Sequence, residues 1–217
     1  KTVKICLFSA GQEVQVGQLS EGLVIGKGRT AEVLKMEDAE ICLKVLLNKD
    51  NKNISRNRSH EEMYFLDVLS AGKLSVPKPV CSVETDKNDY LFMETVGRFS
   101  LKDIVKNDLY DQLPQNFDFN NFFDRLDKQI RLMNENNIYH RDLHSGNVMI
   151  GFNANPYIID FGEAVRGSLG GDPYRQENGK GELIIYPEDQ NQLKENRIYL
   201  GKYLQKKGHF NKKKEVL

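Results

Sequence analysis

The sequence predicts an α+β fold, with a β-rich first part and a mostly helical second part. Up to about Gly97, short apolar or β-branched runs alternate with turn residues, and one helical run begins near Ser59. From residue 100 to residue 137 the pattern is mainly helical, and a long apolar stripe recurs there with the period of a helix. We therefore expect the strands of the sheet to precede most of the helices.

Local signals place the first strands and the first helix. Residues 49–59 are polar and rich in Asn and Lys, which predicts a loop. Ser59 then stands three residues before Glu62, which is the spacing of a capping box at a helix start. Ala71 and Gly72 are expected to end this helix. Strands are expected over residues 23–25, 31–35, 41–47 and 90–94.

The strongest helical pattern lies in the middle of the chain. Apolar side chains recur there at helical spacing, which predicts a helix with one buried face formed by Phe119, Phe122, Phe123, Leu126, Ile130 and Met133. Two short strands are expected at residues 148–150 and 157–159, around a turn. A last amphipathic helix is expected near residues 193–204.

Composition excludes several classes of function. The 217 residues are 39% hydrophobic and 29% charged, which suits one globular domain. Lys plus Arg and Asp plus Glu each number 31, so the chain lacks the broad positive field of nucleic-acid-binding proteins. No run approaches the ~18 apolar residues of a membrane span. The three cysteines, Cys6, Cys42 and Cys81, are too scattered for a zinc site or a disulfide framework and suit a reducing compartment.

A dense run of chemically active residues follows the long helix. The sequence His-Arg-Asp-Leu-His-Ser-Gly-Asn occupies residues 140–147, and Asp160-Phe161-Gly162 begins thirteen residues after Asn147. This pattern resembles the catalytic loop and the metal-binding Asp-Phe-Gly of the protein-kinase superfamily. The resemblance implies that Asp142 orients the acceptor hydroxyl and accepts its proton. It also implies that Asn147 and Asp160 hold the Mg²⁺ ion, or Mn²⁺ in its place, that bridges the phosphates of ATP.

Features upstream extend the resemblance to the nucleotide-binding half of a kinase. Gly26 and Gly28 lie between two predicted strands and resemble the Gly-rich loop that approaches the phosphates, with Ala31 at the place of the family's third glycine. Lys44 stands in an apolar run where the family has its strand lysine. A lysine turned inward needs partners, which the family supplies as phosphates and a helix glutamate.

Two adjacent glutamates compete for the role of that helix glutamate. Glu62 precedes Leu66 by four residues and Leu69 by seven, so it shares their inward face. Glu61 is its neighbour and would pair with Lys44 if Glu62 instead capped the helix. Register favours Glu62, and both assignments stay open at the level of sequence.

The predicted strand before Gly97 resembles the kinase hinge. Met93 would guard the back of the adenine pocket, and the backbones of Glu94 and Val96 would form hydrogen bonds with adenine. Apolar side chains are expected to close the pocket on both sides, namely Val33, Cys42 and Met149.

The resemblance implies one kinase-like domain over residues 1–217, bilobal in form. Its β-rich first lobe runs to about residue 97 with a hinge at 94–97, and its helical second lobe is reduced. Reduced kinases of this kind occur among secreted bacterial effectors that act inside host cells. One group is bound by the ubiquitin-conjugating machinery, and another phosphorylates a host heat-shock chaperone. The implied protein is thus a monomeric Ser/Thr kinase and virulence effector with a protein substrate, located in the cytoplasm or secreted into the host cytosol.

Two alternatives remain open on the sequence. His144 stands where protein kinases usually have a lysine, and Asp-Leu-His-x-Gly-Asn is frequent in aminoglycoside, choline and lipopolysaccharide kinases. Arg141 matches protein kinases instead, which favours a protein substrate. A nucleotide-binding pseudokinase would be expected to lack one of the four residues assigned to catalysis, and all four are present: Lys44, Asp142, Asn147 and Asp160.

Overall fold

The computed structural model describes residues 3–9, 12–19, 24–27, 31–36, 40–46, 58–84, 88–167, 171–178 and 180–209. The chain divides into two compact units. Unit 1 comprises Lys1–Asp67 and Lys78–Thr95, and unit 2 comprises Val68–Pro77 and Val96–Leu217. Along the described residues, no helix is both long and apolar enough to cross a membrane.

Unit 1 is built on a five-stranded antiparallel sheet with the strand order β3-β4-β5-β7-β6. These strands are β3 (Val24–Lys27), β4 (Ala31–Lys35), β5 (Ile41–Leu46), β6 (Pro79–Glu84) and β7 (Asp89–Glu94). A separate hairpin pairs β1 (Val3–Ser9) with β2 (Gln12–Leu19). Buried side chains of β5, β7 and the residue that follows β4 form one core cluster, namely Met36, Leu43, Val45 and Phe92. Strand β5 pairs with β4 on one side and with β7 on the other, so it lies in the middle of the sheet.

Helix α1 (Ser59–Ala71) starts differently from the sequence prediction. The backbone N–H of Arg58 donates to Glu61 Oε2 at 2.7 Å, so the residue before the helix is capped by Glu61. Ser59 is itself the first helical residue, and its buried hydroxyl has no hydrogen-bond partner among the described residues. The predicted Ser59–Glu62 capping box is therefore wrong. Burial explains the difference, because Glu62 turns inward to the sheet and is fully buried.

Unit 2 contains the helices α2 (Leu101–Lys106), α3 (Phe119–Glu135) and α4 (Asp189–Lys206). All six apolar residues of the predicted stripe on α3 are buried, so this prediction is confirmed. Helix α4 begins four residues before its predicted start near residue 193. Short strands complete the unit, namely β8 (Gly97–Ser100), β9 (Ile138–Tyr139), β10 (Val148–Gly151), β11 (Pro156–Ile158), β12 (Val165–Arg166), β13 (Arg175–Glu177) and β14 (Leu183–Ile185).

Strands β8, β10 and β11 form a small antiparallel sheet that supports the segment after residue 140. Gly97 lies opposite Gly151 in this sheet. A Cβ atom added to Gly97 would clash with the carbonyl oxygen of Ile150. The two strands can approach this closely only because residue 97 is a glycine.

Candidate active site

Unit 1 holds a buried ion pair on its central strand. Lys44 lies on β5, opposite Val33 of β4 and Leu91 of β7. Its Nζ atom is 2.7 Å from both carboxylate oxygens of Glu62 on α1. The side chains are 4% and 1% exposed, respectively. A buried ammonium and a buried carboxylate at this distance hold each other in one geometry.

The structure therefore pairs Lys44 with Glu62, as the helical register predicted. Glu61 is exposed and binds the backbone before the helix, so the two neighbouring glutamates have separate tasks. An ammonium group has three N–H donors, and the carboxylate fixes the direction in which the group points. Such a lysine is suited to bind the phosphates of a nucleotide.

Two of the residues predicted to contact adenine lie on the paired strands β5 and β7, whereas Val33 lies on the neighbouring strand β4. Cys42 and Met93 face each other in the strand register, and both are buried. The Cys42 thiol contacts the Glu94 carbonyl oxygen at 3.8 Å. Burial raises the pKa of Cys42 to about 11, so the thiol is neutral at physiological pH. Because a thiol is a weak donor, the Glu94 carbonyl can still accept a hydrogen bond from a ligand.

Only part of the predicted glycine loop lies within the described residues. Gly26 lies on β3 opposite Val33. A Cβ atom at Gly26 would meet the Val33 Cβ at 3.5 Å, which is an ordinary contact. Packing against β4 therefore does not require a glycine there, and the approach of a ligand to the backbone remains the predicted reason for it. Gly28 lies outside the described residues.

In unit 2, Asp142 and Asn147 are joined by hydrogen bonds across the loop. The Asn147 Nδ2 group donates to the Asp142 carbonyl oxygen at 2.8 Å and approaches Asp142 Oδ2 at 3.4 Å. The Asp142 side chain is 36% exposed, so a substrate can reach its carboxylate. Because the amide nitrogen faces Asp142, the amide oxygen of Asn147 is the atom that can serve as a metal ligand.

Asp160 adopts a backbone conformation that is rare for residues other than glycine. Its φ is 62° and its ψ is 75°, in the left-handed region, and its Oδ1 accepts the N–H of Gly162 at 3.2 Å. Strain of this kind costs about 1–3 kcal/mol and is concentrated at functional sites. The N–H of the preceding Ile159 donates to the Asn147 carbonyl oxygen at 3.0 Å, which ties the two predicted metal ligands together through the backbone.

The donor chemistry of these two residues fits a hard divalent cation. Asn147 offers an amide oxygen and Asp160 a carboxylate, and Mg²⁺ is bound in proteins by a few such oxygens together with water and substrate phosphates. The described residues contain no group of three or more His, Cys, Asp or Glu side chains arranged to hold a metal. With only Asn147 and Asp160 as protein ligands, the predicted site would leave positions for water and substrate phosphates.

His140 links the catalytic loop to the segment of Asp160. Its ring packs on the Phe161 ring with the centroids 4.8 Å apart. Its Nε2 donates to the Ile159 carbonyl oxygen at 2.9 Å, and its Nδ1 accepts the N–H of Asp142 at 3.3 Å. Since a carbonyl can only accept and a backbone N–H can only donate, these contacts select the neutral imidazole with its proton on Nε2.

Sequence reasoning missed Asp189, the first residue of α4. Its carboxylate is fully buried and accepts the backbone N–H groups of His140 and Arg141, each at 2.9 Å. Burial raises the pKa of Asp189, and the hydrogen bonds oppose that shift. An aspartate at a helix start ordinarily reads as a helix cap, so nothing local in the sequence identified this contact.

Arg141 is engaged by the segment that follows the Asp-Phe-Gly sequence. Its Nε donates to the Pro173 carbonyl oxygen at 2.6 Å, and its Nη1 donates to Gln176 Oε1 at 2.8 Å. Its guanidinium lies over the Tyr186 ring, 4.4 Å from the centroid. Burial lowers the pKa of Arg141, and the charge of Glu163 opposes that shift. These contacts hold the downstream segment against the catalytic loop.

His144 takes the place of the usual kinase lysine beside Asp142. Its Nδ1 accepts the N–H of Gly146 at 3.0 Å, and its Nε2 lies 3.9 Å from Asp142 Oδ2. A Cβ atom at Gly146 would lie 2.9 Å from the His144 ring, so glycine leaves room for the imidazole. The structure thus places an imidazole N–H close to the predicted catalytic carboxylate.

The remaining predicted adenine contacts belong to unit 2. Val96 is buried, and its carbonyl oxygen accepts the N–H of Phe152 at 3.2 Å. Met149 is partly buried on β10, where it pairs with Ser100 and Tyr157 of the flanking strands. Val33, Cys42 and Met93 belong to unit 1, so the adenine pocket as a whole stays a prediction.

Comparison with known proteins decides the family. Residues 19–179 match the protein kinase domain, which is most of the chain. This chain belongs to the protein kinase domain family. The predicted α+β protein-kinase-like fold is thereby confirmed, as is the resemblance to eukaryotic-like protein kinases.

Bacterial serine/threonine kinases are among the relatives of this kinase domain. The serine/threonine-protein kinase PknD of Chlamydia trachomatis serovar D is 27% identical over 153 residues, which cover 65% of this chain and 16% of that protein. The PknD proteins of Chlamydia muridarum and Chlamydia pneumoniae are 26% identical over 153 residues each, again 65% of this chain and 16% of each protein. The match thus spans about one sixth of the length of these relatives.

Proposed function

We propose that this kinase domain transfers the γ-phosphate of ATP to serine or threonine of a protein, with Mg²⁺ as the metal ion. The observation that carries the proposal is the Asp142–Asn147 contact, in which the amide nitrogen binds the loop of the carboxylate. That arrangement supports a role for the Asn147 oxygen as a metal ligand and leaves the Asp142 carboxylate available to the acceptor. Membership of the family and the names of the PknD relatives support Ser/Thr specificity.

In the proposed reaction, Asp142 orients the acceptor hydroxyl and takes its proton. The hydroxyl oxygen forms a bond to the γ-phosphorus as the bond from that phosphorus to the β–γ bridging oxygen breaks, and ADP leaves. Asn147 and Asp160 would hold Mg²⁺, which supplies positive charge to the phosphate oxygens when it is bound. Lys44, held by Glu62, would bind the nucleotide phosphates on the side of unit 1.

The adenine ring is proposed to bind the backbone at residues 94–96. The Glu94 carbonyl would accept from the exocyclic amine, and the N–H of Val96 would donate to the ring. Gly26 and Gly28 would let the backbone approach the phosphates. Apolar contacts to the ring would come from Val33, Cys42, Met93 and Met149.

The biological setting remains part of the same proposal. A secreted effector role, action in a host cytosol and a chaperone or ubiquitin-conjugation partner follow from the resemblance to reduced effector kinases. A small-molecule kinase is the second candidate, because His144 stands beside Asp142 where that group of enzymes has its histidine. A pseudokinase is disfavoured, because the buried Lys44–Glu62 pair and the Asp142–Asn147 contact are both formed.

Intact-mass spectrometry after incubation with Mg·ATP tests the proposal. One arm contains generic Ser/Thr protein acceptors, and a second contains aminoglycoside or choline acceptors. Asp160→Ala should abolish transfer, whereas Asp124→Ala, an exposed change on α3, should not. Labelling of protein acceptors supports the proposal. Transfer to the small molecules alone would replace it with the second candidate, and unchanged transfer in Asp160→Ala would refute the metal assignment.

A further inference from the structure

Helix α4 presents a buried polar face. Asp189, Gln192 and Asn196 follow one another at i, i+3 and i+7, so they lie on one side of the helix. They are only 0%, 7% and 3% exposed, respectively. Buried polar groups are costly unless each is hydrogen-bonded. The partners of these side chains therefore indicate what the face is for.

Gln192 and Asn196 both bind the backbone of one residue, Leu143, which directly follows the predicted catalytic aspartate. The N–H of Leu143 donates to Gln192 Oε1. Asn196 Nδ2 donates to the Leu143 carbonyl oxygen at 2.8 Å. Leu143 is itself fully buried. The two amides thus clamp both backbone groups of this residue, one as acceptor and the other as donor.

The clamp completes the hydrogen bonding of the loop around Asp142. The N–H of Asp142 is bound by His140 Nδ1, and its carbonyl oxygen is bound by Asn147 Nδ2. With Leu143 held on both sides, the backbone before and after the Asp142 side chain is fixed. A carboxylate whose own backbone and following residue are fixed has few directions in which it can point.

We propose that Gln192 and Asn196 are positioning residues for phosphoryl transfer, and that they act by clamping Leu143 and thereby aiming the Asp142 carboxylate. The proposal rests on the proposed kinase function. It demands opposite chemistry at the two positions, because Gln192 must accept and Asn196 must donate. If the two amides only filled space in the core, the choice between a donor and an acceptor at each position would have no effect.

Matched amide-to-carboxylate substitutions test the polarity. Gln192→Glu keeps an acceptor oxygen whether the new carboxyl is ionised or protonated. Asn196→Asp loses the donor when the new carboxyl is ionised and regains it when protonated, and burial raises the pKa of such a group. Gln192→Met and Asn196→Leu remove the polar atoms altogether. Gln205→Met, an exposed change on the same helix, is the control.

Two measurements separate the clamp from the catalytic proposal. Amide hydrogen exchange, followed by NMR at Leu143, reports the bond to Gln192 without any need for activity. Steady-state transfer reports kcat and KM for ATP. We expect Gln192→Met to lose protection at Leu143 and to lower kcat about 10- to 100-fold, with KM nearly unchanged. Gln192→Glu should keep both protection and kcat near those of the unaltered protein.

The pH profile provides the second signature. The kcat of Asn196→Asp, relative to the unaltered protein, should be low at pH 8 and should rise as pH falls toward 6, whereas that of Asn196→Leu should stay low throughout. If Gln192→Met does not fold, Gln192→Glu and Asn196→Asp decide the question, since each adds one carboxyl to the same face.

Specific results would overturn the proposal. Protection of the Leu143 amide in Gln192→Met would show that the bond is absent or unimportant. Equal loss of kcat in Gln192→Glu and Gln192→Met, or a flat pH profile for Asn196→Asp, would refute the polarity. Absence of transfer in the unaltered protein would instead refute the kinase function, while the exchange measurement would still decide whether the clamp exists.

Discussion

Replacing Glu62 by alanine should destabilise the protein strongly, because it removes the carboxylate from a buried lysine. The Lys44 and Glu62 side chains are 4% and 1% exposed, and the Nζ–Oε1 distance is 2.7 Å. Removing one partner of a buried ion pair costs about 3–5 kcal/mol, since the remaining charge loses its compensation in a region that water does not reach. We expect Glu62→Ala to lower the free energy of unfolding by that amount.

The double substitution Lys44→Met with Glu62→Met distinguishes this cause from simple loss of packing. It removes both charges and keeps comparable volume, and such replacements are often close to neutral. The double variant should therefore be far more stable than the sum of the two single substitutions predicts. Equilibrium urea unfolding followed by circular dichroism gives the free energies for a double-mutant cycle.

Glu61→Ala is the matched control on the neighbouring residue. Glu61 is exposed and binds the N–H of Arg58, so its loss should cost only about 0.3–1 kcal/mol, as expected for a carboxylate at a helix start. Additive effects of the Lys44→Met and Glu62→Met substitutions would refute the reasoning from a buried pair. An equal loss of stability in Glu61→Ala and Glu62→Ala would also contradict it.

Three further substitutions or treatments have defined outcomes. Gly97→Ala should destabilise the protein by about 1–3 kcal/mol in urea unfolding, because its Cβ would clash with the Ile150 carbonyl oxygen of the facing strand; an unchanged midpoint would contradict the contact. An alkylating reagent at pH 8 should label half-buried Cys81 before Cys42, because burial raises the pKa of Cys42 to about 11, and peptide mass mapping measures the order. The raised pKa of Cys42 favours the neutral thiol in the folded state. The stabilisation that the neutral thiol contributes is therefore fully present below the pKa of an unfolded thiol, and it is lost as the pH rises toward 11. Tyr174→Phe should lower the free energy of unfolding by only about 1 kcal/mol, because it removes one hydrogen bond, in which the buried hydroxyl accepts the N–H of Asp189 at 3.3 Å, and burial raises the pKa of that hydroxyl. The variant should keep its transfer activity after phosphatase treatment; loss of most transfer would show that modification of this tyrosine is needed.

Features carried by local periodicity could be predicted from the sequence. The apolar stripe of α3 is confirmed because its spacing alone identifies the buried face. The same reasoning favoured Glu62 over Glu61 for the inward face of α1, and the structure pairs Glu62 with Lys44. The catalytic loop and Asp160 could be recognised because they form short contiguous patterns with a characteristic spacing.

Contacts between a side chain and a distant backbone could not be predicted in the same way. Asp189 lies 49 residues from His140 in sequence, and Gln192 lies 49 residues from Leu143. Every residue except proline has the same backbone N–H group, so the residue type at a position does not indicate which distant side chain binds its backbone. The capping box at Ser59 failed for a different reason. The spacing rule and the helical register gave Glu62 two incompatible roles, and in the structure Glu62 is buried against Lys44, as the register favoured.

The position of α4 also bears on where a functional fragment can be cut. The family match ends at residue 179, and α4 begins at Asp189. A fragment expressed to that family boundary would contain all four residues assigned to catalysis, yet none of the three α4 side chains that bind the backbone of residues 140–143. Fragments meant for biochemistry should therefore extend through Lys206, the last residue of the helix.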